Sequence, residues 1–191
     1  GYNSFRDLKI YKDLNVNHDV STISQGTIIE TVIQQAEHAY NGEIDKVNNI
    51  LLTSPTGAGK SLLFQLSAIY LAEQFGLLTI VVSPLVALMN DQVDGLNYNG
   101  VATLNSNKTA ADKDSILRGV RDKTINLLYL SPELLLSYSI TTFIGDRKLG
   151  LLVVDEAHTV TTWGRDFRVD YWFLGDYLRK ARRILKYPFP I

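Results

Sequence analysis

The chain contains no cysteine among its 191 residues, which excludes disulfides and thiolate metal sites and is compatible with a reducing compartment. It also has almost no net charge. Nineteen Lys and Arg stand against twenty Asp and Glu, for a formal charge of −1, so no overall basic field advertises a polyanionic partner. No stretch approaches the roughly 18 uninterrupted apolar residues that a membrane-spanning helix requires, so no span is expected. No internal repeat and no low-complexity tract is visible. The first residues, Gly1-Tyr2-Asn3-Ser4, supply neither an initiator methionine nor a secretion leader and read as the start of a fragment. What is present is ordinary: 46% apolar residues, enough in a chain of this length for one α/β domain with a sizeable core.

The most informative stretch is Ser54-Pro55-Thr56-Gly57-Ala58-Gly59-Lys60-Ser61. Ile50 to Thr53 before it reads as a short buried strand. After it, Leu62, Leu63, Leu66, Ile69 and Tyr70 recur at helical spacing. The stretch therefore joins a strand end to a helix start. Gly57 and Gly59 let the backbone take up positive φ and approach a phosphate closely. The N–H groups from Thr56 through Ala58 to Ser61 then form a nest at the positive end of a helix dipole. Lys60 is the point charge for the β- and γ-phosphates, and the Ser61 hydroxyl is a Mg²⁺ ligand candidate. The strict pattern G-x-x-x-x-G-K-S/T has glycine where Ser54 stands, so this is a variant of it.

Leu151-Leu152-Val153-Val154 is a continuous apolar run, the signature of a parallel strand buried on both faces. Asp155 and Glu156 follow at its carboxyl end, where open α/β sheets bind ligands. Asp155 is a candidate to hold Mg²⁺ through its water shell. Glu156 is a candidate to orient and polarise an attacking water. His158 completes Asp-Glu-Ala-His; by chemistry alone, a lone histidine after a strand is more often structural than catalytic.

Periodicity predicts an alternating chain. Residues 1–20 are polar and mixed and predict no element. Ile23 to Tyr40 reads as a helix and Asn41 to Asn49 as a polar loop. Strands are expected at Leu78–Ser83, Val101–Leu104 and Ile125–Leu130. Helices are expected from Pro84, over Thr109–Arg121, from Ser131-Pro132-Glu133 and over Tyr171–Leu185. Strands alternating with helices imply a three-layer α/β domain whose mostly parallel central sheet carries helices on both faces.

From about Ile23 to the end, the chain resembles the first RecA-like domain of a superfamily 2 helicase, most closely of the RecQ family. Ser54 to Ser61 resembles motif I, and Asp155 to His158 the D-E-A-H form of motif II. Ser83-Pro84-Leu85-Val86-Ala87-Leu88-Met89-Asn90-Asp91-Gln92 resembles motif Ia. Leu104-Asn105-Ser106 resembles the L-N-S of the next strand, and Tyr129-Leu130-Ser131-Pro132-Glu133 resembles Y-x-T/S-P-E. Trp163-Gly164-Arg165-Asp166-Phe167-Arg168-Val169-Asp170-Tyr171 resembles the aromatic-rich loop that couples DNA binding to ATP hydrolysis.

The resemblance implies a division into residues 1–22, an N-terminal segment, and residues 23–191, a RecA-like ATP-binding domain that stops before motif III. A second RecA-like domain, bringing an arginine finger in cis, is absent from the chain. The implied cofactors are ATP and Mg²⁺, the implied partner a single-stranded DNA track, and the implied location intracellular, in cytoplasm, nucleoid or nucleus. Lys60, Asp155, Glu156 and His158 would be catalytic, and Gln25 would read the adenine edge. Ser83, Pro84, Asn105, Ser131, Pro132, Trp163, Arg165, Phe167 and Arg168 would contact the nucleic acid or couple it to hydrolysis.

The departures are specific. Arg165 replaces a histidine, Val169 a proline and Ala87 a serine, and the arginine that accompanies the upstream glutamine is missing at Gln25. Other readings stay open at this stage. Gln25 also suits a solvated or capping role, and Trp163 and Phe167 also suit plain packing. The Arg179-Lys180-Arg182-Arg183-Lys186 cluster is better read as a solvated helix end than as a nucleic-acid patch. An RNA helicase, a double-stranded DNA translocase and a non-hydrolysing scaffold module remain as alternatives to a DNA helicase.

Overall fold

A computed structural model describes residues 5–11, 20–54, 57–157 and 169–191. The polar start of the chain, for which periodicity predicts nothing, contains a hairpin. β1 (Asp7–Tyr11) pairs antiparallel with β2 (Val20–Ser24), Leu8 opposite Ile23. The expected helix at Ile23 therefore begins two residues later. Helix α1 (Gln25–Tyr40) is capped by Ser24, whose side chain accepts from the Thr27 N–H. Ile23 and Ser24 are β-paired because the cap residue must be extended for its oxygen to reach that N–H.

Ile50 to Thr53, expected as a buried strand, is not one. Leu51 is 84% exposed, and the backbone link described for the run is Ile50 N–H to the Ile191 carbonyl at 2.8 Å. An apolar run becomes a strand only beside a partner that completes its ladder. Here the neighbouring backbone belongs to Pro190-Ile191, and a proline has no N–H to donate.

Helix α2 (Lys60–Phe75) ends in the left-handed Gly76, whose N–H bonds the Ala72 carbonyl, while the Leu77 N–H bonds that of Leu71. The chain turns at once into β3 (Leu78–Val82), so α2 runs antiparallel to that strand. Helix α3 (Val86–Asp94), β4 (Val101–Leu104), α4 (Ala110–Arg121) and β5 (Leu127–Leu130) follow. Then come α5 (Pro132–Ser137), α6 (Ile140–Ile144), β6 (Leu149–Val154) and α7 (Val169–Leu185). The four strands β3 to β6 are all parallel, in the order β4-β5-β3-β6. Pro84, expected to open α3, precedes its cap residue Leu85 instead. Pro132 does occupy the first turn of α5. Thr109 and Asp112 close a reciprocal capping box on α4.

Alternation across the pleat sorts the core into two layers. Ile80, Val82, Leu128, Leu130 and Leu152 pack with Val120, Leu135, Phe143, Leu174 and Leu178 from α4 to α7. On the other face, Leu151 packs with Val32, Ala36 and Leu71, and Val81 and Tyr129 pack with Ala68 and Met89. Helices thus cover both faces, which is the expected three-layer arrangement.

At the amino end of the strands, Arg147 is 8% exposed and acts as a clamp. Its terminal nitrogens donate to the carbonyls of Gly76, Val120 and Ile125 and to Asn126 Oδ1, at 2.7 to 3.2 Å. These acceptors include the carbonyl of Gly76, the cap residue of α2, and that of Val120 in the last turn of α4, which also accepts from the Lys123 N–H. Burial holds the guanidinium below its ordinary range.

Candidate nucleotide and nucleic-acid site

Because α2 runs antiparallel to β3, its first residue lies at the carboxyl edge of the sheet. The strands end there as well: Val82 leads to Ser83, Leu104 to Asn105, Leu130 to Ser131 and Val154 to Asp155. Backbone bonds tie these ends together, Ser83 N–H to the Leu130 carbonyl at 3.0 Å and Asp155 N–H to the Val82 carbonyl at 2.9 Å. Motif residues far apart in sequence are thereby gathered on one edge.

Gly57 and Gly59 have φ of 81° and 79°, the left-handed values expected of this loop. Around Gly57 a Cβ would meet open space, whereas at Gly59 it would come within 2.8 Å of Gln25 Nε2. Gly59 is therefore favoured by its backbone, and a side chain there would displace the Gln25 amide from the loop. Lys60 Nζ donates to the Ser54 carbonyl at 2.9 Å, so it already lies across the loop it would serve. Thr56 lies outside the described residues.

Gln25 is 3% exposed and engaged at both ends of its amide. Nε2 donates to the Ala58 carbonyl at 3.2 Å, and Oε1 accepts from the Arg6 N–H at 3.1 Å. The solvated alternative for Gln25 is thereby excluded. The residue joins the N-terminal hairpin to the phosphate loop, and one amide hydrogen and one lone pair remain for a ligand.

Asp155 and Glu156 are half-buried at the end of β6. Asp155 Oδ1 accepts from the Glu156 N–H at 2.9 Å, and Oδ2 accepts from Gln92 Nε2 at 3.4 Å. Glu156 has φ of 52°, a left-handed conformation that L residues rarely adopt. Strain of this kind collects at sites where the backbone must aim a side chain.

Below the carboxylates lies a buried polar pair that periodicity did not single out. Gln65 Nε2 of α2 donates to the hydroxyl of the fully buried Tyr129 on β5, at 2.9 Å. Burial pushes the Tyr129 phenol up to about 12; the Gln65 bond opposes this, and the charge of Asp155 adds to it. A glutamine among the leucines of an amphipathic helix was the available signal for Gln65. For Gln92, position within the motif Ia segment was the signal.

The candidate nucleic-acid contacts divide. Ser83, Asn105 and Ser131 are 0%, 2% and 4% exposed. Pro84 and Pro132 are also buried. These side chains cannot grip a strand directly, so any contact at these loops falls to backbone groups and neighbouring residues. Asn105 Oδ1 instead accepts from the Asn107 N–H at 3.0 Å, holding its own turn. His158, Trp163, Arg165, Phe167 and Arg168 lie outside the described residues.

A parallel sheet with a phosphate loop and an acidic pair on its carboxyl edge defines a nucleotide-binding domain of the helicase type. The chain belongs to the DEAD/DEAH box helicase family, whose model matches residues 25–186. Among curated proteins, it is 40% identical over 127 residues to ATP-dependent DNA helicase RecQ of Pasteurella multocida, covering 65% of this chain and 20% of that protein. It is 41% identical over 147 residues to ATP-dependent DNA helicase Q5 of Mus musculus, covering 73% of this chain and 15% of that protein. The chain thus spans about a fifth or less of the length of these relatives. Among solved structures, the UvsW helicase from bacteriophage T4 aligns with a TM-score of 0.48 at 17% identity, covering 81% of this chain and 48% of that one.

Proposed function

We propose that this chain is the ATP-binding domain of an ATP-dependent DNA helicase or translocase, coupling Mg-ATP hydrolysis to movement along one DNA strand. The observation that carries the reading is the convergence of Gly57–Ser61 and Asp155-Glu156 on one edge of the sheet. The N–H groups at the start of α2 receive the phosphates. Lys60 exchanges the Ser54 carbonyl for the β- and γ-phosphate oxygens. Ser61 and Asp155 are the residues that would hold Mg²⁺. Their hard oxygen donors suit that ion, and the described residues contain no group of three His, Cys, Asp or Glu able to cage a metal without the nucleotide. When bound there, the ion would neutralise phosphate charge. Glu156 accepts a proton from the water that attacks the γ-phosphorus, and ADP leaves. Gln25 holds the phosphate loop and offers its remaining hydrogen-bonding capacity to the base.

DNA is favoured over RNA because the relatives are DNA helicases and because the rings of the aromatic-rich segment Trp163 to Tyr171 suit stacking on bases. A second RecA-like domain in cis would add the arginine finger, and location is intracellular on the same reading. Retention of Lys60, Asp155 and Glu156 together argues against a non-hydrolysing scaffold. The test is steady-state ATPase activity of the full-length protein with no nucleic acid, with single-stranded DNA and with single-stranded RNA. Stimulation by DNA is expected. Stimulation by RNA alone would reassign the track, and no turnover under any condition would leave the scaffold.

A further inference from the structure

We infer that Gln92 is a positioning residue for the Asp155 carboxylate and, through its own amide oxygen, for the water shell of the metal that carboxylate would hold. The inference rests on the nucleotide-site reading above and adds a residue to it. Gln92 lies near the end of α3, one turn after the fully buried Met89, so its side chain is directed under the sheet edge.

The two Asp155 oxygens have separate donors. Oδ1 takes the Glu156 N–H of its own turn, and Oδ2 takes Gln92 Nε2 from a different element. One donor leaves a carboxylate free to swing about its χ2 torsion; two donors on opposite oxygens define the plane. The amide orientation follows from charge, since turning Oε1 toward a carboxylate would set two acceptors against each other.

That orientation leaves Gln92 Oε1 buried with no hydrogen-bond partner. A buried acceptor without a donor is costly, and such groups in native structures call for an explanation. Mg²⁺ keeps several of its waters when bound by one or two protein ligands. A water held on the ion is a strong donor, and an amide oxygen beside the liganding carboxylate is placed to accept from it. Gln92 therefore orients the carboxylate with its N–H and receives the hydrated ion with its C=O.

The experiment titrates Mg²⁺ into the chain together with a fluorescent, non-hydrolysable ATP analogue, using wild type and Gln92→Met. Methionine keeps the length and packing of glutamine but has neither amide group. The expected result is a Mg²⁺ half-saturation raised by about tenfold, the scale for partners of metal ligands. Analogue affinity in EDTA should stay unchanged. Should Gln92→Met fail to fold, Gln92→Ala, which adds no bulk, takes its place. An unchanged Mg²⁺ half-saturation would overturn the assignment, as would an equal loss of affinity with and without Mg²⁺. A wild-type chain that binds no analogue under either condition overturns the nucleotide-site reading itself, and the role of Gln92 with it.

Discussion

The two ends of the parallel sheet are built on opposite principles. At the amino end, one buried cation donates all four of its terminal N–H groups to protein acceptors, and its Nε–H alone is left buried without a partner. At the carboxyl end, the chain leaves polar groups open. Ser83 Oγ and Gln92 Oε1 are buried with no hydrogen-bond partner, and Glu156 holds a left-handed backbone. Lys60 donates to a carbonyl of its own loop, the Ser54 C=O, at 2.9 Å. Where a domain needs only cohesion, it closes most of its hydrogen bonds internally. Where a ligand must complete the structure, it keeps donors and acceptors in reserve and accepts strain, at a cost in stability.

Four substitutions test this contrast. Lys60→Ala in the full-length protein should reduce ATPase activity to background, because no other residue of the loop carries a positive charge; steady-state phosphate release measures it, and wild-type turnover would refute the assignment. Arg147→Met removes four donors from one buried and three half-buried acceptors and should destabilise the chain by about 2–4 kcal/mol. Denaturant unfolding reads the loss. Analogue binding by the folded fraction should be unchanged, and a specific loss of nucleotide affinity would show that the two ends are not separable.

Glu156→Gln keeps size and hydrogen bonding but removes the base. Turnover should fall by ~10²-fold or more, with ATP binding within a few-fold of wild type. If binding falls in step with turnover, the roles of Asp155 and Glu156 have been exchanged. Glu156→Gly should have the smallest effect on folding and the opposite sign. Relief of the left-handed backbone should raise stability by about 1 kcal/mol, less the greater freedom glycine gives the unfolded chain. A lower unfolding midpoint would show that the carboxylate, and not the backbone, sets the energy of that turn.

Much of the nucleotide site was legible because its chemistry is local. Gly57 to Ser61 carries its loop geometry in consecutive residues, and Val101–Leu104 was expected with the boundaries observed. Asp155 follows a run whose apolar continuity marks a doubly covered strand. The misses have equally local causes. The hairpin of β1 and β2 carries only a short alternation, Leu8 and Ile10 in a five-residue strand, too brief to stand out from its polar surroundings, although Leu8 and Ile23 pack against Ile28, Ile29 and Leu63. Ile50 to Thr53 has strand composition without a neighbour to complete its ladder. The buried Gln65–Tyr129 bond joins residues 64 apart in sequence, a distance that no periodicity reaches.

The sequence by itself determined the class of the fold, the phosphate loop and the acidic pair, because helix and strand periods and a contiguous loop are encoded within a few residues. Tertiary structure alone decided that Gln25 lies against the phosphate loop, that Ser83, Asn105 and Ser131 are sealed from solvent, that Arg147 clamps the amino end and that Gln92 meets Asp155. Each of these depends on which strands become neighbours. That choice is made by the packing of whole layers, and a side chain's partner across the sheet is not written in the residues beside it.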